Sequence, residues 1–306
     1  MNKMSVFFVA ILSMGLTFGC ASDPSVSGNE RQSKPGNFAI ISYNVLYGFN
    51  HGKSLKIGAD WINEQKPNVV ALQELNGFNK KRLEQTAGLW GHSYSEILKE
   101  PGFPVGLTSK EPIETIEKRL KGMHHGFLHC KTSGINFIVV HLAPFDFRKR
   151  QKETSAICAK VRNLIESNEM LVVLGDFNAV SPLDKEYLDS KSELLEFLIA
   201  KDKSYLRRQN LDNGRFDFSV MQKFLDFGLE DVCYKLLKDT RELDGSLPTM
   251  IRGRQAHAKF LRRIDYVLMD KNLSQNTVYA AIPREGNVNW ISDHYPVVIR
   301  LHLSEK

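Results

Sequence analysis

Short apolar runs along this chain stop, six times over, on a carboxylate, an amide or an imidazole. FAIISYN closes on Asn44, VVALQE on Glu74, FIVVH on His141 and LVVLGDFN on Asp176 and Asn178; RRIDYVLM carries Asp265, and ISDHYPVVIRL opens on Asp293 and His294. Runs of this length, rich in Val and Ile, predict buried strands. A buried strand that delivers a polar side chain at its end sets that group at the rim of a sheet, held rigidly and still reachable. The six rims together predict one site assembled from segments far apart in sequence.

Helical patterns alternate with these strands, and no fixed repeat period is present. Ser54 to Gln65 has apolar residues at helical spacing and stops before Pro67, which predicts a helix ahead of the strand that presents Glu74. Arg148 to Glu166 reads the same way, with Ile157, Val161, Leu164 and Ile165 on one stripe. Residues 181–263 are the least regular part. They hold helical segments at Glu193 to Leu198 and Phe218 to Phe227, then the basic stretch MIRGRQAHAKFLRR.

The N-terminus has a separate character. Lys3 precedes an uncharged stretch from Ser5 to Phe18, too short for a spanning helix, so residues 1–20 are expected to be an export signal. Its end, Leu16-Thr17-Phe18-Gly19-Cys20, resembles a bacterial lipoprotein signal, with Thr17 where a leucine is usual. Lipidation at Cys20 would anchor the chain to a membrane; cleavage after Ala21 would release it as a secreted or periplasmic protein. Residues 21–37, rich in Ser, Pro, Gly and Asn, are expected to be a flexible linker ahead of one domain spanning 38–303.

At 42% hydrophobic and 25% charged residues the composition is that of a globular domain and excludes wholesale disorder. Beyond Cys20 only Cys130, Cys158 and Cys233 remain, an odd number at irregular spacing. That is neither a disulfide framework nor a zinc site, and buried free thiols are expected. The formal net charge is +6, and removing residues 1–20 takes away only Lys3. A basic surface favours polyanionic partners, nucleic acid or anionic lipid headgroups, over neutral ones.

Glu74 and Asp293 are hard oxygen donors with no soft ligand beside them, which suits Mg²⁺ or Mn²⁺. Taken singly, each candidate has a plain structural reading. Glu74 would be a strand-end acid, Asp176 a turn former in Gly-Asp-Phe-Asn, and Asp265 a salt-bridge partner of Arg263. The ordered set SYN, LQE, VVH, GDFN, RIDY and SDHYPV, from Phe38 to about Leu303, resembles the endonuclease/exonuclease/phosphatase superfamily. That resemblance implies an α/β (α+β) four-layer sandwich, deoxyribonuclease I-like, in which two packed mixed β-sheets are flanked by helices. It also implies metal-dependent hydrolysis of a phosphoester by in-line attack of water.

Carried over residue by residue, Glu74 is the principal metal ligand, and Asn44 and Asp293 lie in or beside its coordination. Asp176 and Asn178 belong either to a second ion or to the attacking water. His294 is either the base or an imidazolium on the phosphate, oriented by Asp265, and His141 contacts a phosphate oxygen or assists the leaving group. One ion or two is left open. The expected activity is a nuclease-like phosphodiesterase, with nucleic acid preferred over a lipid headgroup. The alternatives are a phosphatase or phospholipase C-like enzyme, and a non-catalytic binding protein that has kept the fold. A monomer is expected.

Other basic residues carry weaker expectations. Arg148, Arg150 and Arg254 are candidates for contacting substrate phosphates, as is the cluster of Arg252, His257, Lys259, Arg262 and Arg263; a solvated basic loop is the rival reading. His124 and His125 are adjacent and, on a strand, would point to opposite faces, so they make no ligand pair. Residues 181–263, between two core strands, are the expected specificity element.

Overall fold

The computed structural model describes residues 36–240, 243 and 245–304. The expected signal peptide and most of the expected linker therefore lie outside the described residues. In chain order the elements are β1 (Phe38–Asn44), α1 (Leu55–Glu64), β2 (Val69–Gln73), α2 (Lys80–Ala87), β3 (Tyr94–Ile97), β4 (Gly106–Ser109), β5 (Glu114–Arg119), β6 (Phe127–Thr132) and β7 (Ile135–His141). They continue with α3 (Phe147–Glu166), β8 (Leu171–Asp176), α4 (Lys185–Asp189), α5 (Ser192–Lys203), α6 (Ser219–Asp226), β9 (Glu230–Asp231), α7 (Val232–Leu237) and α8 (Arg254–Phe260). The last are β10 (Asp265–Met269), α9 (Lys271–Ser274), β11 (Thr277–Ala281), α10 (Val288–Ile291) and β12 (Val297–Leu301).

The strands form two six-stranded mixed sheets, ordered β11-β12-β1-β2-β4-β3 and β5-β6-β7-β8-β10-β9. They pack face to face through their central strands, β1 and β2 against β7, β8 and β10. The apolar runs are continuous because both faces of these strands are covered. Along β7, Phe137 and Val139 enter the core between the sheets. Ile138 and Val140 enter a second core beneath Ile157, Cys158 and Val161 of α3. Asp146 starts α3 by accepting the backbone N–H groups of Arg148 and Lys149 at 2.8 and 3.3 Å. Cys130, Cys158 and Cys233 are buried free thiols. Among the described residues no helix is long and apolar enough to cross a membrane.

Strand register places the rim. The parallel pairs align Asn44 with Gln73, the residue before Glu74, and His141 with Asp176. Antiparallel β10 sets Asp265 opposite Asp176, and β12 pairs Ser42 with Val297, bringing residues 293–296 beside the end of β1. Parallel strands bring their C-terminal ends together, and antiparallel neighbours contribute their N-terminal ends to the same edge. Gly175 allows this convergence: its φ is +139° and a Cβ there would lie 2.0 Å from the Val140 oxygen.

Part of the segment from 181 to 263 forms a small core of its own, where Val180, Leu188, Leu194 and Ile264 are joined by Tyr187, Leu198, Phe216 and Phe260. Buried Arg263 ties it to the sheet through Asp184 at 2.9 Å and Asp231 at 2.8 Å. The salt-bridge reading of Asp265 with Arg263 is thereby replaced: Arg263 has other partners.

Candidate functional site

Glu74 follows β2 with φ +58°, a left-handed conformation unfavourable for a side chain with a Cβ. What holds it there is the turn after β1, where Leu46 through His51 all have positive φ. The turn donates Tyr47 N–H to Glu74 Oε2 at 3.1 Å and Gly48 N–H to the Glu74 carbonyl at 2.7 Å. Non-glycine residues in this region cost about 1–3 kcal/mol each. Such strain persists only where the surroundings over-determine it, and here it aims one carboxylate into a pocket.

Asn44 links the two sheets. Its Nδ2 donates to Glu74 Oε1 at 3.3 Å and to Asp176 Oδ2 at 3.1 Å, while its Oδ1 accepts the Leu46 N–H. Asn44, expected in or beside the metal's coordination, presents its amide N–H₂ to both carboxylates and sets their spacing. Asp176 is the hub. Its Oδ1 accepts the Asn178 N–H at 2.8 Å, and its Oδ2 lies 3.5 Å from His141 Nε2 and 3.9 Å from His294 Nε2.

The two histidines differ. His294 Nδ1 lies 2.9 Å from Asp265 Oδ2, which also accepts the Ser246 hydroxyl at 2.6 Å. Burial alone would drive the His294 pKa down. The Asp265 charge and hydrogen bond, with help from Asp176 and Asp293, outweigh it and push the imidazole up to about 10. His141 has no such partner, and its Nδ1 is buried without a hydrogen bond. Burial, reinforced by the neighbouring histidines, holds its pKa well below the ordinary value, so His141 is neutral.

Burial raises the pKa of Glu74, and burial with the Asp265 charge pushes Asp176 up to about 7. These buried carboxylates repel each other, and a cation among their oxygens would relieve that strain, so the donor set fits a divalent metal. Asp176, Asp265 and His294 form a buried group whose candidate ligand atoms lie within 4.8 Å of one another. Asp293 is committed on one side: its Oδ2 accepts Arg252 Nε and Nη2 at 3.0 and 2.7 Å.

These groups open into a pocket of about 170 Å³, lined by Glu74, His141, Asp176, Asn178 and His294. Tyr47, Phe103, His124, His125, Pro144 and Phe145 complete the wall. Asn44, Asp265 and Asp293 stand behind it. The expectation for His124 and His125 needs correcting, because they lie in the loop before β6 and not on a strand, and both reach the pocket. His125 stacks on His141 with ring centroids 4.2 Å apart, Phe103 packs 5.2 Å from His125, and Tyr47 packs 5.5 Å from Phe103. Residues in such loops carry no periodic signal, so Tyr47, Phe103 and Phe145 were not legible beforehand.

The substrate arginines divide. Arg150 is buried, donating to the Ala143 carbonyl and to Asn210 Oδ1, both at 2.9 Å. Arg148 is exposed, bonded to Gln209 Oε1, and Arg254 is exposed on α8; neither lines the pocket.

The family model for the Endonuclease/Exonuclease/phosphatase family matches residues 41–294, from the first strand of the rim to the His294 imidazole. The chain belongs to that family. Its members hydrolyse phosphoester bonds, nucleases and phosphatases among them, and are typically metal-dependent.

Three solved structures share the deoxyribonuclease I-like fold. An AP endonuclease from Archaeoglobus fulgidus has a TM-score of 0.64 and 20% identity. The 3′ phosphatase NExo (D146N) from Neisseria, bound to a product DNA hairpin, has 0.67 and 18%. The 3′-5′ exonuclease NExo from Neisseria meningitidis has 0.65 and 18%. Each alignment covers 87% of this chain and 100% of the other. No curated protein matches the chain in sequence.

Proposed function

We propose that the protein is an exported, Mg²⁺-dependent phosphodiesterase of nuclease type, cleaving its substrate by in-line attack of water. The observation that carries this reading is the His294–Asp265 pair facing Asp176 across the pocket into which Glu74 opens. His294, held protonated by its carboxylate neighbours, neutralises charge on a non-bridging phosphate oxygen. Asp176, fixed by Asn44 and the Asn178 N–H, orients the attacking water and takes its proton. Neutral His141 donates one hydrogen bond to the phosphate or to the departing oxygen.

Glu74 is the residue that would hold Mg²⁺, with Asn44 and Asp293 flanking it. When bound, the ion supplies charge that polarises the phosphoryl group and relieves the repulsion among the carboxylates.

A basic chain and the DNA-directed names of similar structures support nucleic acid as the substrate. Export, with Cys20 as a lipid anchor, completes the proposal. A panel of plasmid DNA, RNA, sphingomyelin and inositol phosphates, assayed with and without Mg²⁺, tests it. Mg²⁺-dependent cleavage of nucleic acid is expected, and turnover of only the lipid or inositol substrates would move the activity to the other branch.

A further inference from the structure

We infer that a second cavity, sharing Asn178 and Pro144 with the catalytic pocket, binds a second phosphate of the substrate, next to the one that is cleaved. Its distinctive walls are Arg150, Arg262, Asn210 and Asp217, with Leu198, Leu211 and Phe216 from the segment after Ser181. The site is thus built by the insertion as well as the core strands. Arg150 is 3% exposed, yet its Nε has no hydrogen-bond acceptor after Nη1 and Nη2 have satisfied Ala143 and Asn210.

Arg262 donates Nη1 to the Phe260 carbonyl at 3.1 Å and has no ion-pair partner among the described residues. It feels Asp176 and Asp265 as more distant charges. Its backbone is pinned by reciprocal hydrogen bonds with Leu247, so the guanidinium is presented from a fixed base. Arg262 is half-buried, and a guanidinium with five N–H donors and no ion-pair partner among the described residues keeps donors to offer a ligand.

Charge and size select the ligand. Among the residues that line the cavity, two guanidinium groups face one carboxylate, Asp217. Asp217 Oδ1 accepts the Ser219 hydroxyl, its Oδ2 is buried without a hydrogen bond, and its charge supports Arg150. The cavity is about 70 Å³. A water needs about 10–15 Å³ of such space, so the cavity has room for a tetrahedral phosphate. Arginine forks match phosphate oxygens. Pro144 and Asn178 line both cavities, so they are neighbours, and a polynucleotide strand with one phosphate in the first would carry its neighbouring phosphate towards the second. The inference rests on the phosphodiesterase reading of the first pocket.

The test compares the dinucleotide TpT with pTpT and TpTp, which add one terminal phosphate on either side. Wild-type protein is expected to favour one phosphorylated form over TpT by about 10- to 100-fold in kcat/KM, the range for hydrogen bonds to a charged group. Arg262→Met and Asn210→Ala should each bring that ratio towards unity. Absence of the preference in wild type, or its survival in both variants, overturns the subsite.

A second arm needs no turnover. Inorganic phosphate titrated into Glu74→Gln by calorimetry should fill two sites, one of which disappears when Arg262→Met is added; a stoichiometry that does not change overturns the inference. Should no phosphodiester be cleaved, the proposed function falls, while the phosphate count still decides the cavity. Asn210→Ala serves if Arg262→Met does not fold.

Discussion

Replacing Asp265 with Asn keeps the shape of the group that holds His294 and removes its charge. The carboxylate lies 2.9 Å from Nδ1, and two unit charges at that distance in an effective dielectric of ~20 attract by about 6 kcal/mol. The same order follows from the imidazole itself. Raising it from 6.5 to about 10 corresponds to about 5 kcal/mol in favour of the charged form, at about 1.36 kcal/mol per pKa unit.

With the charge gone, burial dominates and His294 becomes neutral at assay pH, so it can no longer offset charge on the phosphate. The expected loss in kcat is about 10²- to 10⁴-fold for Asp265→Asn and for His294→Ala. The double variant should be little worse than the poorer single one, because the two act as a unit. The assay is Mg²⁺-supported hydrolysis of bis(4-nitrophenyl) phosphate, normalised to folded protein by near-ultraviolet circular dichroism. Losses that multiply in the double variant would refute the pairing. A near-normal rate per folded molecule with a lowered melting temperature would reduce Asp265 to a structural residue.

Glu74→Gln should abolish Mg²⁺-supported turnover with the melting curve preserved; wild-type activity at limiting Mg²⁺ would remove Glu74 from the metal. Gly175→Ala should destabilise by more than about 3 kcal/mol in urea titrations, because its Cβ would meet the Val140 oxygen at 2.0 Å; a loss under about 1 kcal/mol would show that the strands can part. Stability should fall on acidification between pH 6.5 and 4. His92, buried between Thr108 Oγ1 and the Pro67 carbonyl, is lowered by burial to about 4, so the unfolded chain takes up the proton first. That contributes about 3 kcal/mol of loss, fully present below pH 4 and absent above pH 6.5, and an unchanged slope in His92→Gln would refute it. Cys20→Ala should prevent acylation and membrane association in a bacterial host; a wild-type mature N-terminus at Ser22 without acyl mass would indicate ordinary secretion.

The strands and their polar ends were readable because each is a local pattern: a doubly buried apolar run that stops at a polar residue. The helices Leu55–Glu64 and Phe147–Glu166 were readable for the same reason, within a residue or so of the expected bounds. His124 and His125 were misread because alternation presumes a strand, and a loop residue obeys no period.

Sequence by itself determined which residues meet, since Asn44, Glu74, His141, Asp176 and Asp265 lie at strand ends, with His294 in the bend just ahead of β12, and the burial of those strands leaves them one edge to share. Only the tertiary structure decided what each of them is. His294 is charged and His141 neutral because one lies against Asp265 and the other against His125. Arg263 is held by Asp184 and Asp231, while Arg262, one residue earlier, is left facing a cavity. Protonation and pairing depend on distances of a few ångströms between segments a hundred residues apart, and no pattern confined to neighbouring positions encodes them.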